Sequence, residues 1–304
     1  MKLSIVIPAF NEEKNIALLY HELEALKLAG EYMLEIIFVD DGSRDGTFGK
    51  IKEISKDDER VSGIRFSRNF GHQTALLAGL KEAKGDLILM MDCDGQHPVN
   101  LIPGLVGKIR EGYDIVNTIR MDTKRVGFFK KLSSKLFYFF FNLLSEVHIE
   151  PSAADFRIMT RKALDAYLQI DEQDQFVRGL ISWMGFKQTS IAYSADERKF
   201  GASGYSLRKM RKFAMDGLTS FSAKPLRLST TLGFIIIFFG IIYSIYAIVM
   251  FFIGRANPGW TSLLISILLI GGVQLFSLGI IGEYIARIYR ETKKRPHFFI
   301  EERC

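Results

Sequence analysis

Short apolar runs alternate with segments of helical period through the first part of the chain. Residues 3–7 form an apolar, β-branched run, followed by an amphipathic stretch to about Lys27. Further apolar runs occupy 35–39, 61–66, 86–91 and 114–117, with helical-period segments around 45–56, 71–84 and 100–111 between them. Strands alternating with helices predict an α/β domain built on a mainly parallel sheet. Ligands of such sheets bind beyond the carboxyl ends of the strands. Three of the runs end in polar clusters, Asn11-Glu12-Glu13, Asp40-Asp41 and Asp92-Cys93-Asp94, and these mark the expected site.

Past residue 228 both periods disappear. Residues 232–253 and 256–282 contain no charge, and each stretch is long enough as a helix to cross roughly 30 Å of hydrocarbon. They read as two membrane spans, about 231–253 and 262–282; two buried helices of a soluble core are the alternative. Trp260 stands where an interfacial aromatic would. Arg208, Lys209, Arg211, Lys212, Lys224 and Arg227 precede the first span, and Arg287, Arg290, Lys293, Lys294, Arg295 and Arg303 follow the second, whereas the link holds only Arg255. Basic flanks stay inside. The expectation is a multi-pass protein of the inner (plasma) membrane with its head and both termini cytoplasmic. The division predicted is a head over 1–204, a juxtamembrane amphipathic helix over 205–228, and a two-span anchor with a cytoplasmic tail over 229–304.

Residues 127–145 carry lysines early and aromatic rings late, the pattern of a helix lying at the membrane surface; an aromatic-rich core helix is the alternative. Residues 206–221 are a second candidate of the same kind. Gly271-Gly272 and Gly279 permit close helix approach, so a homo-oligomer through the spans is compatible with the sequence.

Composition narrows the class. The chain has 304 residues, 48% hydrophobic and 24% charged, with a net charge of +6. The positive charge clusters around the spans, where topology accounts for it, and a nucleic-acid partner is not expected. Two distant cysteines, Cys93 and Cys304, exclude a disulfide framework and fit a reducing compartment. The N-terminal run is too short for a signal peptide and reads as a strand.

The chemistry concentrates at Asp92-x-Asp94, followed by Gln96-His97-Pro98. Two carboxylates at a strand end can share a divalent cation with a diphosphate, and hard oxygen donors suit Mg²⁺ or Mn²⁺. Asp40 and Asp41 form a second acidic strand end, with a helix N-cap as the alternative role for each. His72 and His97 lack ligand spacing and read as structural or loop residues. Cys93 alternates with its Asp neighbours and reads as buried packing.

Residues 5–12, Val39-Asp40-Asp41-Gly42-Ser43-x-Asp45-Gly46-Thr47 and Met91-Asp92-Cys93-Asp94 resemble the successive signatures of family 2 glycosyltransferases. Ser67-Arg68-Asn69-Phe70-Gly71-His72, Ala154-Asp155-Phe156-Arg157, the two spans and Gly282-Glu283-Tyr284-Ile285-x-Arg287 resemble more closely the polyprenyl-phosphate group, which includes bactoprenol glucosyltransferases and dolichyl-phosphate mannose synthases. The resemblance runs through essentially the whole chain. It implies a GT-A (Rossmann-like) α/β head and inverting transfer of one sugar from a nucleotide-sugar, UDP-linked by the bacterial-type tail, to polyprenyl (undecaprenyl) phosphate. By matching position, Pro8, Asn11, Glu12 and Asp41 would line the nucleoside pocket, and Asp92 would lie near ribose and diphosphate. Asp94 and Gln96 would hold the metal. Family members commonly have Leu where this chain has Gly95.

Asp155 matches the family's catalytic carboxylate. A phosphomonoester has a second pKa of about 6, so most acceptor is already a dianion at neutral pH and needs positioning more than deprotonation. Asp155 is therefore expected to orient the acceptor phosphate through a metal or basic partner and to take the proton of any monoanion; a salt bridge to Arg157 is its structural alternative. Arg120, Arg198 and Ser203 are the candidates for binding acceptor or diphosphate, the last two in a segment resembling the family's Arg-rich loop. A solvated surface role is the alternative for Arg120. Two other functions compete. Gln175-Phe176-Val177-Arg178 approaches the Gln-x-x-Arg-Trp pattern of processive polysaccharide synthases, but Gly179 follows it and two spans are too few for a polymer channel. A membrane-anchored nucleotide-sugar scaffold or sensor without turnover is the non-enzymatic reading.

Overall fold

The computed structural model describes residues 1–26, 32–121, 153–173, 176–194, 222, 224–254 and 259–304. The helix expected at 127–145, most of the juxtamembrane segment, Arg198 and Ser203 lie outside the described residues.

The head is built on one eight-stranded sheet. Its strands are β1 (Lys2–Ala9), β2 (Met33–Asp40), β3 (Val61–Phe66), β4 (Leu87–Met90), β5 (Ile115–Met121), β6 (Ala153–Thr160), β7 (Gln188–Ser194) and β8 (Ile300–Arg303). The spatial order is β7-β5-β6-β4-β1-β2-β3-β8. Between them run α1 (Glu13–Ala25), α2 (Thr47–Asp57), α3 (His72–Glu82), α4 (Ile102–Arg110), α5 (Arg161–Tyr167) and α6 (Val177–Trp183). The five apolar runs read from the sequence are β1 to β5.

Strand alternation feeds two cores. Leu3, Ile5 and Ile7 of β1 pack with Ile16 and Leu19 of α1, Phe48 of α2 and Ile102 of α4. Val6 points to the opposite face and joins Leu76 and Leu80 of α3, Leu164 of α5 and Leu180 of α6. Successive residues face opposite sides of a strand, so a sheet covered on both faces needs nearly unbroken apolar runs. Gly79 of α3 sits so close to β1 that an added Cβ would meet Val6 Cγ1 at 2.3 Å.

The sheet is more mixed than the sequence predicts. β1–β2, β1–β4, β2–β3 and β5–β7 are parallel, whereas β4–β6, β5–β6 and β3–β8 are antiparallel. Reversal of β6 has a consequence for function: its amino end lies where the parallel strands have their carboxyl ends.

Two long helices follow, α7 (Lys224–Phe252) and α8 (Trp260–Lys293). Ser229–Phe252 and Leu269–Lys293 are long and apolar enough to cross a membrane, and neither is buried inside the protein. Their exposure argues against the soluble-core alternative. Large apolar side chains, among them Phe238 and Phe252, face outward, which water would penalise and hydrocarbon would not. At 34 residues and 1.5 Å each, α8 is about 51 Å long, more than the roughly 30 Å of a bilayer's hydrocarbon. Its last turns, residues 283–293, carry Glu283, Arg287, Arg290, Glu291 and Lys293. The chain then returns to the head. β8 pairs with the edge of β3 (Ile64↔Arg303, Arg65↔Glu302), so the segment expected to be a tail is partly a strand of the head.

Candidate active site

β1 leads to β2 and β3 on one side, while β4 lies on the other. That reversal between β1 and β4 is a topological switch point, where open α/β sheets bind ligands. The β1–β4 pairing ends at Val6↔Met90, while β1 continues along β2 to Ala9↔Asp40. The two strand ends therefore part. A cavity of about 260 Å³ opens at this level, lined in part by Pro8, Glu12, Asp41, His72, Asp92 and Asp94.

Several backbone ties shape its walls. Asp41 accepts from the N–H groups of Phe70 (2.6 Å) and Gly71 (2.9 Å), drawing the β3–α3 loop over the cavity. Gly71 adopts φ +106°, a region that disfavours a side chain. Burial pushes the Asp41 carboxyl up, against those two N–H groups. Asp40 is fully buried; it accepts from Ser43 N–H at 2.9 Å and lies 3.6 Å from Arg65. Neither aspartate caps α2, since Asp45 Oδ1 receives the Thr47 N–H at 3.1 Å. Asn11 departs from expectation. It stands at φ +56°, its N–H donates to Ser43 Oγ (2.9 Å) and its Oδ1 accepts from Arg44 N–H (2.9 Å). Its side chain ties the β1 and β2 ends together and is not among the residues lining the cavity.

Asp92, Cys93 and Asp94 all line the cavity as the chain leaves β4, and Cys93 between the two carboxylates is also packed into the apolar core. Asp92 N–H donates to His97 Nδ1 at 2.9 Å. That bond puts the imidazole proton on Nε2, which faces Asp92 Oδ2 at 3.7 Å. The His97 ring stacks on Phe156 of β6, centroids 4.9 Å apart. Asp94 Oδ1 accepts from Gln96 N–H at 3.0 Å, across Gly95 at φ +73°. Gln96 itself points elsewhere: its Oε1 accepts from Arg120 Nη1 at 2.9 Å, and it is not among the cavity-lining residues. The expectation that Gln96 faces a metal beside Asp94 therefore changes, because Arg120 already holds its oxygen. Arg120 is exposed and engages the Asp92–Gln96 loop.

No group of three or more His, Cys, Asp or Glu side chains converges on a common point among the described residues. A Mg²⁺-type ion does not need one, since it is commonly held by one or two carboxylates together with substrate phosphates. Asp92 and Asp94 supply that donor set on one wall, and Asp92 Oδ1 is shielded from solvent and makes no hydrogen bond, its cationic neighbour being His72 Nε2 at 3.4 Å. The residues present fit such an ion.

Asp155 lies beside Asp92 because β6 runs antiparallel. Arg178 of α6 clasps its carboxylate through Nε (2.8 Å) and Nη2 (3.0 Å). His72 Nε2 is 3.5 Å from Asp155 and 3.4 Å from Asp92, bridging the two carboxylates. Arg157 is a weaker partner at 3.4 Å, so the expected alternative, a simple Asp155–Arg157 pair, is a minor part of the arrangement. Burial would raise the Asp155 pKa, but Arg178, His72 and Arg157 hold it well below the usual carboxylate range. The proton-accepting role expected for Asp155 is not one this environment favours. Burial likewise opposes charge on His72, yet its hydrogen bond to Asp155 and the negative charge of Asp92 push it up to about 9.

Two site residues were missed in the sequence. His72 stands in the Ser67–His72 motif but lacked any ligand spacing. Arg178 stands in the Gln-x-x-Arg pattern, which had been weighed only against polymer synthases.

Residues 4–168 match the family described as glycosyl transferase family 2. The chain belongs to that family. Residues 224–288 match the GtrB C-terminal hairpin. Bactoprenol glucosyl transferase of Shigella phage SfX is 37% identical over 304 residues, covering 100% of both chains. YkcC of Bacillus subtilis (strain 168), described as an uncharacterized glycosyltransferase, is 41% identical over 300 residues, covering 98% of this chain and 93% of that one. S. aureus TarS 1-349 in complex with UDP-GlcNAc has a TM-score of 0.49 at 18% identity, covering 72% of this chain and 66% of that one. This family 2 glycosyltransferase is thus an enzyme with the expected α/β GT-A head and a membrane-associated helical hairpin.

Proposed function

We propose that the enzyme transfers a single sugar from a nucleotide-sugar, UDP-linked, to polyprenyl phosphate at the cytoplasmic face of the plasma membrane, with inversion at the anomeric carbon. The observation that carries this reading is the cluster of Asp155, Arg178 and His72 at the edge of the donor cavity, on a head anchored by a helical hairpin. The full-length likeness to bactoprenol glucosyl transferases supports the acceptor class.

In this reading Pro8, Glu12 and Asp41 take the nucleoside end of the donor, and Asp92 and Asp94 face its diphosphate. A divalent cation, Mg²⁺ or Mn²⁺, held at Asp94 beside Asp92 would offset the charge that gathers on the departing diphosphate. Asp155 stays ionised and aims the Arg178 guanidinium and the His72 imidazolium, which draw in the acceptor phosphate dianion. An oxygen of that phosphate forms the new bond to C1 while the C1–O bond to the diphosphate breaks. The electron pair leaves with the nucleoside diphosphate, and no proton transfer is required. Arg198 and Ser203 complete phosphate binding, and Arg120 steadies the Asp92–Gln96 turn. Basic flanks on both sides of the hairpin support a topology with both termini inside. The head spans 1–204 and regains its last strand from the end of the 229–304 anchor.

The test is turnover by the purified protein in detergent with undecaprenyl phosphate, Mg²⁺ or Mn²⁺ and a panel of UDP- and GDP-sugars. Nucleoside diphosphate and lipid-linked sugar are both measured. One donor should give both products in equal amounts, and chelation or Asp94→Asn should reduce the rate at least about 100-fold. Nucleotide release without lipid product would overturn the acceptor assignment.

A further inference from the structure

We infer that the C-terminal arm, residues 291–303, is a positioning element of the transfer site. It grips both segments that deliver cationic side chains to Asp155, and it does so from the end of a membrane helix. The inference rests on the functional reading above only for its kinetic part.

On one side the arm holds the approach to α6. Glu291, in the last turn of α8, accepts from the backbone N–H of Gln173 at 2.8 Å, and His297 Nε2 lies 3.8 Å from Asp171. Five residues beyond Gln173 comes Arg178, in the first turn of α6, with its guanidinium on Asp155. On the other side the arm holds the β3–α3 turn. Phe298 stacks on Phe66 with centroids 4.9 Å apart, and the Phe299 ring stands 6.3 Å from Phe70. Ser67 N–H donates to the Phe299 carbonyl at 3.1 Å. Further along this turn, past Arg68 and Asn69, come Phe70 and Gly71, whose N–H groups hold Asp41, and then His72, which bridges Asp155 and Asp92. Arg303 pairs with Glu82 at the far end of α3 (2.8 Å), so the arm contacts the sheet-proximal turn and the opposite end of the helix that carries His72.

An edge cover for β3 would need only the β8 ladder. Glu291 and His297 lie outside that ladder and reach a different layer of the head, where the Arg178 segment begins. A helix emerging from the bilayer is thereby joined, through its last turn and the arm that follows, to the segments that lead to both cationic side chains of the acceptor site. Through them, the seating of α8 and the alignment of Arg178 and His72 become one mechanical variable.

The test compares Glu291→Gln, which keeps an oxygen to accept the Gln173 N–H, with Glu291→Leu, which does not, and adds Phe299→Ala. Three readouts are taken on the full chain in detergent: steady-state kinetics with full-length and with short-chain, detergent-soluble polyprenyl phosphate; nucleotide affinity; and amide hydrogen exchange of residues 67–74 and 176–183. Glu291→Leu is expected to lower kcat at least tenfold with both acceptors, with nucleotide affinity within about twofold and faster exchange over 176–183. Glu291→Gln should restore kcat to within about threefold of the parent. Phe299→Ala should speed exchange over 67–74. Unchanged exchange in Glu291→Leu and Phe299→Ala overturns the inference, whatever the acceptor proves to be. So does a kcat loss confined to the long-chain acceptor, which would make the arm a matter of height above the bilayer. If the parent protein turns over no polyprenyl phosphate, the functional reading fails, and the exchange data alone decide the arm.

Discussion

Replacing Arg178 by Gln removes the charge that clasps Asp155 while keeping much of the side chain's length. In the parent the carboxylate receives two charge-assisted hydrogen bonds, at 2.8 and 3.0 Å, whereas Arg157 and His72 remain at 3.4 and 3.5 Å. Breaking a buried ion pair by removing one partner costs about 3–5 kcal/mol. Arg178 is 25% exposed and Asp155 keeps its weaker partners Arg157, His72 and Gln73, so the lower end, about 3 kcal/mol, applies. Expressed wholly in the transition state this is roughly a 150-fold loss in kcat; part of it will appear as lost stability, and a fall of between about tenfold and 150-fold is expected. Arg178 does not line the donor cavity, so nucleotide affinity should change by less than about threefold. The pH profile gives a second check. Asp155 is depressed in the native state, so its contribution is present above the unfolded-state pKa and lost as pH falls through the folded one. Without Arg178, burial raises the carboxyl and moves that acid limb upward, adding to the fall that protonation of the acceptor phosphate at about pH 6 imposes on parent and variant alike. Steady-state kinetics with calorimetric nucleotide titration reads both quantities. An unchanged kcat, or a loss confined to nucleotide affinity, would refute the assignment of Arg178 to the acceptor side.

His72 offers the complementary limb. Its pKa is raised to about 9, so the imidazolium contributes fully below the unfolded value near 6.5 and is lost as pH climbs through about 9. The kcat/KM profile should fall above that pH, and His72→Gln should lower activity at pH 7.5 about tenfold and remove the alkaline limb; a variant that keeps the limb would assign it to another group. Gly79→Ala places a methyl 2.3 Å from Val6 Cγ1. Overpacking of this kind costs about 1–3 kcal/mol, to be read as a lower midpoint in thermal unfolding with little change in KM.

The first five strands were legible because each run is mostly apolar: Leu3–Ile7 is broken only by Ser4, and Leu87–Met90 is unbroken. The hairpin was legible from charge alone. β6 was not read as a strand, since its orientation depends on pairing with β4 some seventy residues earlier, and local pattern carries no sign of direction. The same reversal put Asp155 at the parallel strands' carboxyl ends, which the motif marked without giving a reason. Asn11 and Gln96 have the right residue types at the right strand ends; their side chains were committed to Arg44 and Arg120, contacts fixed only by tertiary structure. Arg178 needed the fold to reveal its partner. The arm was hidden by its composition: Ile300-Glu301-Glu302-Arg303 reads as a charged tail until the exposed edge of β3 is beside it.

Pro8 has a consequence beyond lining the cavity. Val6 accepts from Met91 N–H, so even-numbered residues of β1 turn their polar groups toward β4. The next rung in this register would run from an N–H at position 8 to the Met91 carbonyl, and proline has none to give. The two central strands are therefore unable to zip one step further. A residue with an amide hydrogen would offer the ladder one more rung at the mouth of the cavity proposed for the nucleotide. Pro8 works as a stop in the ladder, and the slot stands open before any substrate arrives.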